Sequence, residues 1–325
     1  MIDTFTEILT QKTKKMGLRT ASMMADLLNI SEDSAYRRIK NPRSLRADEL
    51  IILAKEFDID LNKLAQTNPN WLSGEYKPLN FDSYTSSDFY KELEAKLDRC
   101  IHLPHSQITY GAKEIPFFYY MWFPALAAFK TFIWNREFIK NPKFNSGPFT
   151  FDSKLESPHI KLAEKYLKVA SHEIWSYETL YSTLYQIHHY KECGMFENPE
   201  TCKRVLNEYD QLIELIHNQA EAGAKLNPFI PNLKGAKYKL YFTPMINTDN
   251  SMIFHTVKDK VAVVCSQMSG VVISDCSQWV CSTEHWLKTC KENGTLLSQT
   301  GQGARNKFLV QDYKTKKKIV HIENK

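Results

Sequence analysis

Apolar and polar positions recur at a helical spacing over residues 1–66, and the turn formers between them divide the stretch into five helices. Phe5, Ile8 and Leu9 share one side of residues 2–15, which close on Lys12, Lys14 and Lys15, the charge that a helix C-terminus favours. Thr20 is placed to cap a second helix reaching Leu28. Asn29 then tolerates the left-handed backbone of a helix end, and Ile30 plugs the turn. Ser31 caps a third helix over 32–40, which Asn41-Pro42 breaks. Leu50, Ile51, Leu53, Ala54 and Phe57 predict a fourth helix over 47–57, and 61–64 a short fifth.

The pattern then changes twice. Residues 67–86 are dense in turn formers and read as a linker, although Trp71, Leu72, Tyr76, Phe81 and Tyr84 within it are apolar enough to pack. Residues 87–235 read as a helical region for dimerisation or sensing. Phe89, Leu93, Leu97 and Cys100 share one helix face; 159–172 and 176–190 are two more helices. The clearest runs from 198 to 222, with Asn198 as N-cap, Pro199 at the first position and Gly223 as the stop. No repeat of about 34 residues is present. From Lys237 the alternation is strand-like, with Tyr238, Leu240 and Phe242 on one side and further β-rich runs at 251–257, 261–265 and 271–273. A helix over 277–292 and a hairpin formed by 307–313 and 319–322 complete a mixed region, 236–325. The expected fold is therefore multi-domain and mainly α: a five-helix N-terminal domain, a central helical region and a C-terminal α+β or α/β domain.

Length and composition fit that division, since 325 residues exceed one ordinary core and 43% hydrophobic with 24% charged residues is globular. Seven cysteines spread through such a chain do not read as a disulfide framework. No basic-then-apolar leader opens the sequence, so a cytoplasmic location is expected. Residues 115–129 are charge-free and aromatic, but Pro116 and Pro124 interrupt them and a span needs about 20 residues, so a buried helix is expected and no membrane partner. That aromatic centre suits core packing or a dimer interface better than a ligand pocket.

The net charge of +5 matters only through its distribution. Residues 12–46 hold nine Lys or Arg against three Asp or Glu, a net of +6, whereas 47–66 hold two against five, a net of −3. Residues 300–325, with seven against two, carry another +5.

The positive segment contains Met24-Ala25, Leu28-Asn29-Ile30-Ser31, Ala35-Tyr36-Arg37-Arg38-Ile39, then Leu45 and Asp48-Glu49-Leu50. In spacing and turn residues it resembles the Cro/lambda-repressor-type helix-turn-helix of bacterial and phage transcription regulators. The resemblance covers residues 1–66, roughly a fifth of the chain. It implies a small residue at the helix crossing (Ala25), an apolar residue after the turn (Ile30) and buried positions on the recognition helix (Ala35, Ile39). It also implies that the start of that helix meets base edges in the major groove, which assigns base reading to Glu32, Asp33, Ser34, Tyr36 and Arg37. Arg37 is suited to guanine O6 and N7. Thr20, Ser22, Arg38, Lys40, Arg43 and Arg46 fall at the phosphates. Glu32 and Asp33 depart from the pattern; they suit cytosine N4 or the positive end of their own helix. The plain alternative is a helical bundle whose arginines are only a solvated face.

Two other clusters hold residue types suited to metal or anion binding. Cys276, Cys281, His285 and Cys290 have zinc-type ligands at a spacing unlike a zinc knuckle, and buried free thiols are the expected state. Ser298 to Arg305 (Ser-Gln-Thr-Gly-Gln-Gly-Ala-Arg) lacks a phosphate-loop pattern, so a plain turn is expected. His188-His189, Cys193 and Cys202 read as ordinary core or surface residues.

The expected function is a sequence-specific DNA-binding transcription regulator, homodimeric because one recognition helix reads few base pairs, with duplex DNA and a small-molecule or protein effector as partners. No catalytic constellation has recognisable spacing, so neither an enzyme activity nor a cofactor is expected. Two readings stay open beside it: a protein-interaction adaptor, supported by Glu32-Asp33, and an enzyme with a DNA-targeting head.

Overall fold

The computed structural model describes residues 2–65, 74–78, 86–138, 140, 142–145, 147–151, 160–244, 249–266 and 270–319. The chain divides into two compact units, Met1–Ser73 and Gly74–Lys325.

The first unit is helical: α1 (Ile2–Lys15), α2 (Thr20–Leu28), α3 (Glu32–Lys40), a 3-10 turn Pro42–Ser44, α4 (Ala47–Glu56) and α5 (Leu61–Ala65). Phe5, Leu9, Met24, Ala25, Ala35, Leu45, Leu53, Ala54, Phe57 and Ile59 form its core. Each larger aliphatic or aromatic member contributes about 1.5–3 kcal/mol by leaving water. The α2–α3 turn follows its sequence. Asn29 takes φ 52°, and the Ile30 N–H donates to the Ala25 carbonyl at 3.0 Å. Ser31 caps α3 by accepting from the Ser34 N–H at 3.3 Å.

Two local expectations are corrected, and Lys12, in the last turn of α1 as expected, gains a distant partner. Thr20 is the first residue of α2 rather than its cap, and its hydroxyl pairs with that of Thr13 at 2.7 Å. Ile51 is 46% exposed, because the buried side of α4 runs through Glu49, Leu53, Ala54 and Phe57. Lys12 reaches away from its own helix and donates to the carbonyls of Phe57 (2.5 Å) and Asp58 (2.7 Å), satisfying the end of α4.

The second unit is a mixed α/β structure. Its strands are β1 (Glu75–Pro78), β2 (Gln107–Ala112), β3 (Ala170–Trp175), β4 (Ala224–Leu226), β5 (Lys234–Phe242), β6 (Ser251–His255), β7 (Lys260–Ser266), β8 (Gly270–Ser274) and β9 (Thr295–Leu296). They follow the order β1-β8-β7-β6-β2-β3-β5-β4, with β9 also on β5. β2–β3 and β3–β5 are parallel, and the other pairings are antiparallel. The helices are α6 (Ser86–His102), α7 (Phe117–Tyr120), α8 (Pro124–Ile133), α9 (Pro142–Asn145), α10 (Ile160–Leu167), α11 (Tyr177–Glu192), α12 (Pro199–Ala222), α13 (Ser277–Glu292), α14 (Gln302–Asn306) and α15 (Tyr313–Ile319).

Cross-strand partners point to the same side, so the register defines two faces. Ile108, Tyr110, Trp175, Tyr238, Leu240, Met252, Phe254 and Val263 join the large core, which includes α8, α11 and α12. The opposite face presents Thr109, His172, Ile174, Lys239, Tyr241, Ile253 and Ala262. There, α13 packs Val280, Leu287 and Cys290 on Ile174, Ile253 and Ala262.

Several sequence expectations give way in this unit. The boundary expected at 235/236 falls inside β5, and the region expected to be wholly helical supplies β2 and β3 to the middle of the sheet. The helix expected over 159–172 ends at Leu167. β3 hides from a hydrophobic pattern because its core-facing positions are Ser171, Glu173 and Trp175, with a carboxylate at the centre. That carboxylate is completely buried and accepts from Tyr119 (2.7 Å), Tyr166 (2.6 Å), Ser171 (3.1 Å) and Trp175 Nε1 (3.1 Å). The expected linker contains β1, which extends the sheet against β8; Trp71, Leu72, Phe81 and Tyr84 lie outside the described residues.

The expected C-terminal hairpin is helical, with α14 and α15 joined by a π-helical stretch, Lys307–Asp312. Phe308, Leu309 and Tyr313 are buried at helical spacing; Ile322 lies outside the described residues. The aromatic run 115–134 is core, split into α7 and α8 where Pro124 opens the second helix. No helix among the described residues is long and apolar enough to cross a membrane.

Candidate nucleic-acid interface

α3 is the element on which the sequence places base reading, and its two sides are chemically distinct. Ala35 is fully buried, whereas Glu32, Asp33, Tyr36, Arg37 and Lys40 are exposed. Positions 33, 36, 37 and 40 recur at helical spacing and form one outward stripe. Within it the Lys40 ammonium sits 5.0 Å from the centre of the Tyr36 ring, and Tyr36 is 52% exposed. Acidic residues begin α3 and basic residues end it, matching the helix dipole at both ends.

The acidic start is tied into the fold. Ser22 donates to Glu32 Oε1 at 2.5 Å, linking α2 to α3. Ser34 receives a hydrogen bond from the Ser31 hydroxyl at 2.9 Å. Glu32, Ser22 and Ser34, all expected on nucleic acid, thus have intramolecular partners across the turn. Arg37 makes no ion pair among the described residues and stands exposed beside Tyr36. Arg43 is exposed in the 3-10 turn after α3. Arg46 pairs with Asp48 at 2.9 Å, both well exposed, an interaction worth about 0–1 kcal/mol and easily exchanged for an anion.

Arg38 is a correction. Expected at the phosphates, its guanidinium instead faces inward, donating to Glu49 through Nη2 (2.9 Å) and Nε (3.0 Å) and to the Ser34 carbonyl through Nη1 (3.2 Å). Glu49 is 7% exposed and also accepts from the Arg46 N–H at 3.0 Å. The Arg38 hydrogen bonds hold the Glu49 carboxyl below the usual carboxylate range against the opposing effect of burial, and the same contact raises Arg38 further. The sequence signal was available: Glu49 is an acidic residue amid the apolar positions of α4, and such a residue requires an internal partner.

The remaining constellations do not assemble into sites. Among the described residues no group of three or more His, Cys, Asp or Glu is placed to hold a metal. Cys276 and Cys290 are buried while Cys281 is exposed, so the zinc-type spacing does not converge. The stretch 298–305, expected as a plain turn, passes into α14 at Gln302, and its Arg305 is buried and donates to the carbonyls of Leu297 (2.8 Å) and Gln299 (3.2 Å). Gly301 there serves a close approach, since a Cβ would lie 2.0 Å from the Leu296 carbonyl oxygen. Glu173 and its tyrosines are sealed inside the second unit.

No protein-family model, curated protein or solved structure matches this chain.

Proposed function

We propose that the protein is a sequence-specific DNA-binding transcription regulator that reads duplex DNA with α3. The observation that carries this reading is the outward stripe of Asp33, Tyr36, Arg37 and Lys40 on a helix whose inner side is held by Ala35 and by the Arg38–Glu49 pair. Such a helix meets a groove already oriented, with Arg37 exposed and in no ion pair among the described residues. The sequence resemblance to Cro/lambda-type regulators supports the same assignment. Arg37 reads a base; Lys40, Arg43 and Arg46 contact phosphates.

A single α3 spans only a few base pairs, so the working form is a homodimer with half-sites about 34 Å apart. The second unit carries dimerisation or effector response, and the molecule acts by binding rather than catalysis. The deciding experiment is a fluorescence titration of the full-length protein with random and selected duplexes at several salt concentrations. Binding that weakens linearly in log–log form with salt supports the reading. Absence of duplex affinity at low salt removes it. The second reading, a protein-interaction adaptor, rests on Glu32 and Asp33, whose charge opposes phosphate; under it the same titration is flat.

A further inference from the structure

The face of the sheet covered by α13 has an apolar half and a charged half. Val280, Leu287 and Cys290 close over Ile174, Ile253 and Ala262. Below that contact, the register sets Lys239, His172 and Thr109 side by side on β5, β3 and β2. One row further lie Gln107, His255 and Lys260 on β2, β6 and β7. Lys288 and Lys291 come from the end of α13.

The polar groups hold one another in place. Gln107 Nε2 lies 3.3 Å from His172 Nδ1, Thr109 Oγ1 lies 3.3 Å from His255 Nε2, and Tyr241 meets the His172 ring edge-on. The negative charges of this face are already engaged. Glu284 is held by Lys260 at 2.8 Å and faces His255 at 3.8 Å, while Glu292 pairs with Lys288 at 3.7 Å. Lys239 and Lys291 have no ion-pair partner among the described residues. Burial disfavours the Lys291 charge, Glu284 and Glu292 support it, and Lys239 and Lys288 oppose it; Lys239 and Lys291 both act on His172. Burial, then Lys291, Lys239 and His255, push the His172 imidazole down to about 4. Lys239, Lys260, Lys288 and Lys291 outnumber Glu284 and Glu292 here, so a net positive charge stands beside a neutral, half-buried imidazole, an arrangement that an anion relieves.

We propose that Lys239, Lys291 and His172, with Gln107 and Thr109 beside them, form a binding site for a small phosphoryl dianion, a free phosphate or the phosphate of a small ester. Two ammonium groups balance a dianion, whereas a carboxylate leaves one of them unmet. The imidazole stays neutral as the anion settles: Nδ1 lies beside the Gln107 amide, and the other ring nitrogen carries the proton that is donated to the anion. The site belongs wholly to the second unit and stands whether or not α3 binds DNA.

The test is histidine-selective NMR pH titration of the full-length protein, with and without millimolar inorganic phosphate and at equal ionic strength in chloride. Phosphate should raise the His172 pKa by about one unit where chloride does not. Lys239→Met and Lys291→Met should each weaken phosphate about tenfold, the loss expected for one charge-assisted contact, and Lys291→Arg should retain it. Lys239→Met removes repulsion, so without phosphate it should unfold at or above the parental temperature, which separates lost binding from lost folding; at position 291 the charge-keeping Lys291→Arg is the folding control. Glycerol phosphate competing with phosphate identifies an ester as an acceptable source; failure to compete narrows the ligand to the free ion. The inference is overturned if chloride moves His172 equally, if the double methionine variant binds phosphate unchanged, or if duplex DNA displaces phosphate from this face.

Discussion

Arg38 on α3 and Glu49 on α4 meet through two hydrogen bonds, Nη2 to Oε1 at 2.9 Å and Nε to Oε2 at 3.0 Å. The pair fixes the orientation of the proposed reading helix against the body of its unit. Arg38→Ala leaves the buried Glu49 with only the Arg46 N–H, and Glu49→Ala leaves the half-buried Arg38 with only the Ser34 carbonyl. Arg38→Ala and Glu49→Ala should each therefore destabilise the first unit by about 2 kcal/mol, read as a lower denaturant midpoint for that transition.

The same pair sets an acid limit. Glu49 in the folded unit lies below its unfolded value of about 4.3, so its stabilisation is complete above that pH and is lost as pH falls through the folded value. Denaturation curves from pH 7 to 3 should show this loss in the parent and a flatter acid limb in Glu49→Gln.

If α3 reads DNA, Arg37 and Arg43 should respond differently. Arg37→Ala should cost about 1–3 kcal/mol on the preferred duplex and relax selectivity at one base pair. Arg43→Ala should weaken all duplexes alike and reduce the salt slope by about 1. Equal effects of both substitutions on every sequence would withdraw base reading from Arg37.

Glu173 collects four donors inside the second unit. Tyr166→Phe, which removes one of them, should cost about 1.5–3 kcal/mol in chemical denaturation. Glu173→Leu should cost more, because it strands the two tyrosines, Ser171 and the Trp175 indole together. A variant no less stable than Tyr166→Phe would show that the network relaxes around an apolar residue.

His172 imposes a second pH dependence of the opposite chemical type. Its imidazole is neutral when folded and titrates near 4, against about 6.5 unfolded. The unfolded chain therefore binds more protons between those values, and stability falls as pH is lowered from about 6.5 towards 4. In phosphate-free buffer His172→Gln should remove this part of the pH dependence, measured as the difference in unfolding temperature between pH 7 and pH 4.5.

The first unit was legible because its determinants are local. Ala25 and Ala35 are buried as the resemblance implies, whereas Ile39 is only partly buried; Asn29 in the left-handed turn and Ser31 as the cap of α3 fall where spacing and cap chemistry place them. The same holds for α12, with Asn198 accepting from the Thr201 N–H and Gly223 at φ 63°. β3 was not legible, because Glu173 occupies the position where a core strand ordinarily carries an aliphatic residue. Nor were Lys12 and Arg38, whose roles depend on groups 45 and 11 residues away along the chain.

Periodicity and caps thus determined which segments are helical near the N-terminus, since hydrogen bonds within a few residues decide that, while the outward face of α3 was assigned through the resemblance. Partnership was decided only on folding. That Arg38 pairs with Glu49, that residues 107–112 and 170–175 become central strands, and that Lys239 lies beside His172 all follow from contacts between segments separated in the chain. Pairings at that distance depend on how buried polar groups find partners, which no local spacing records.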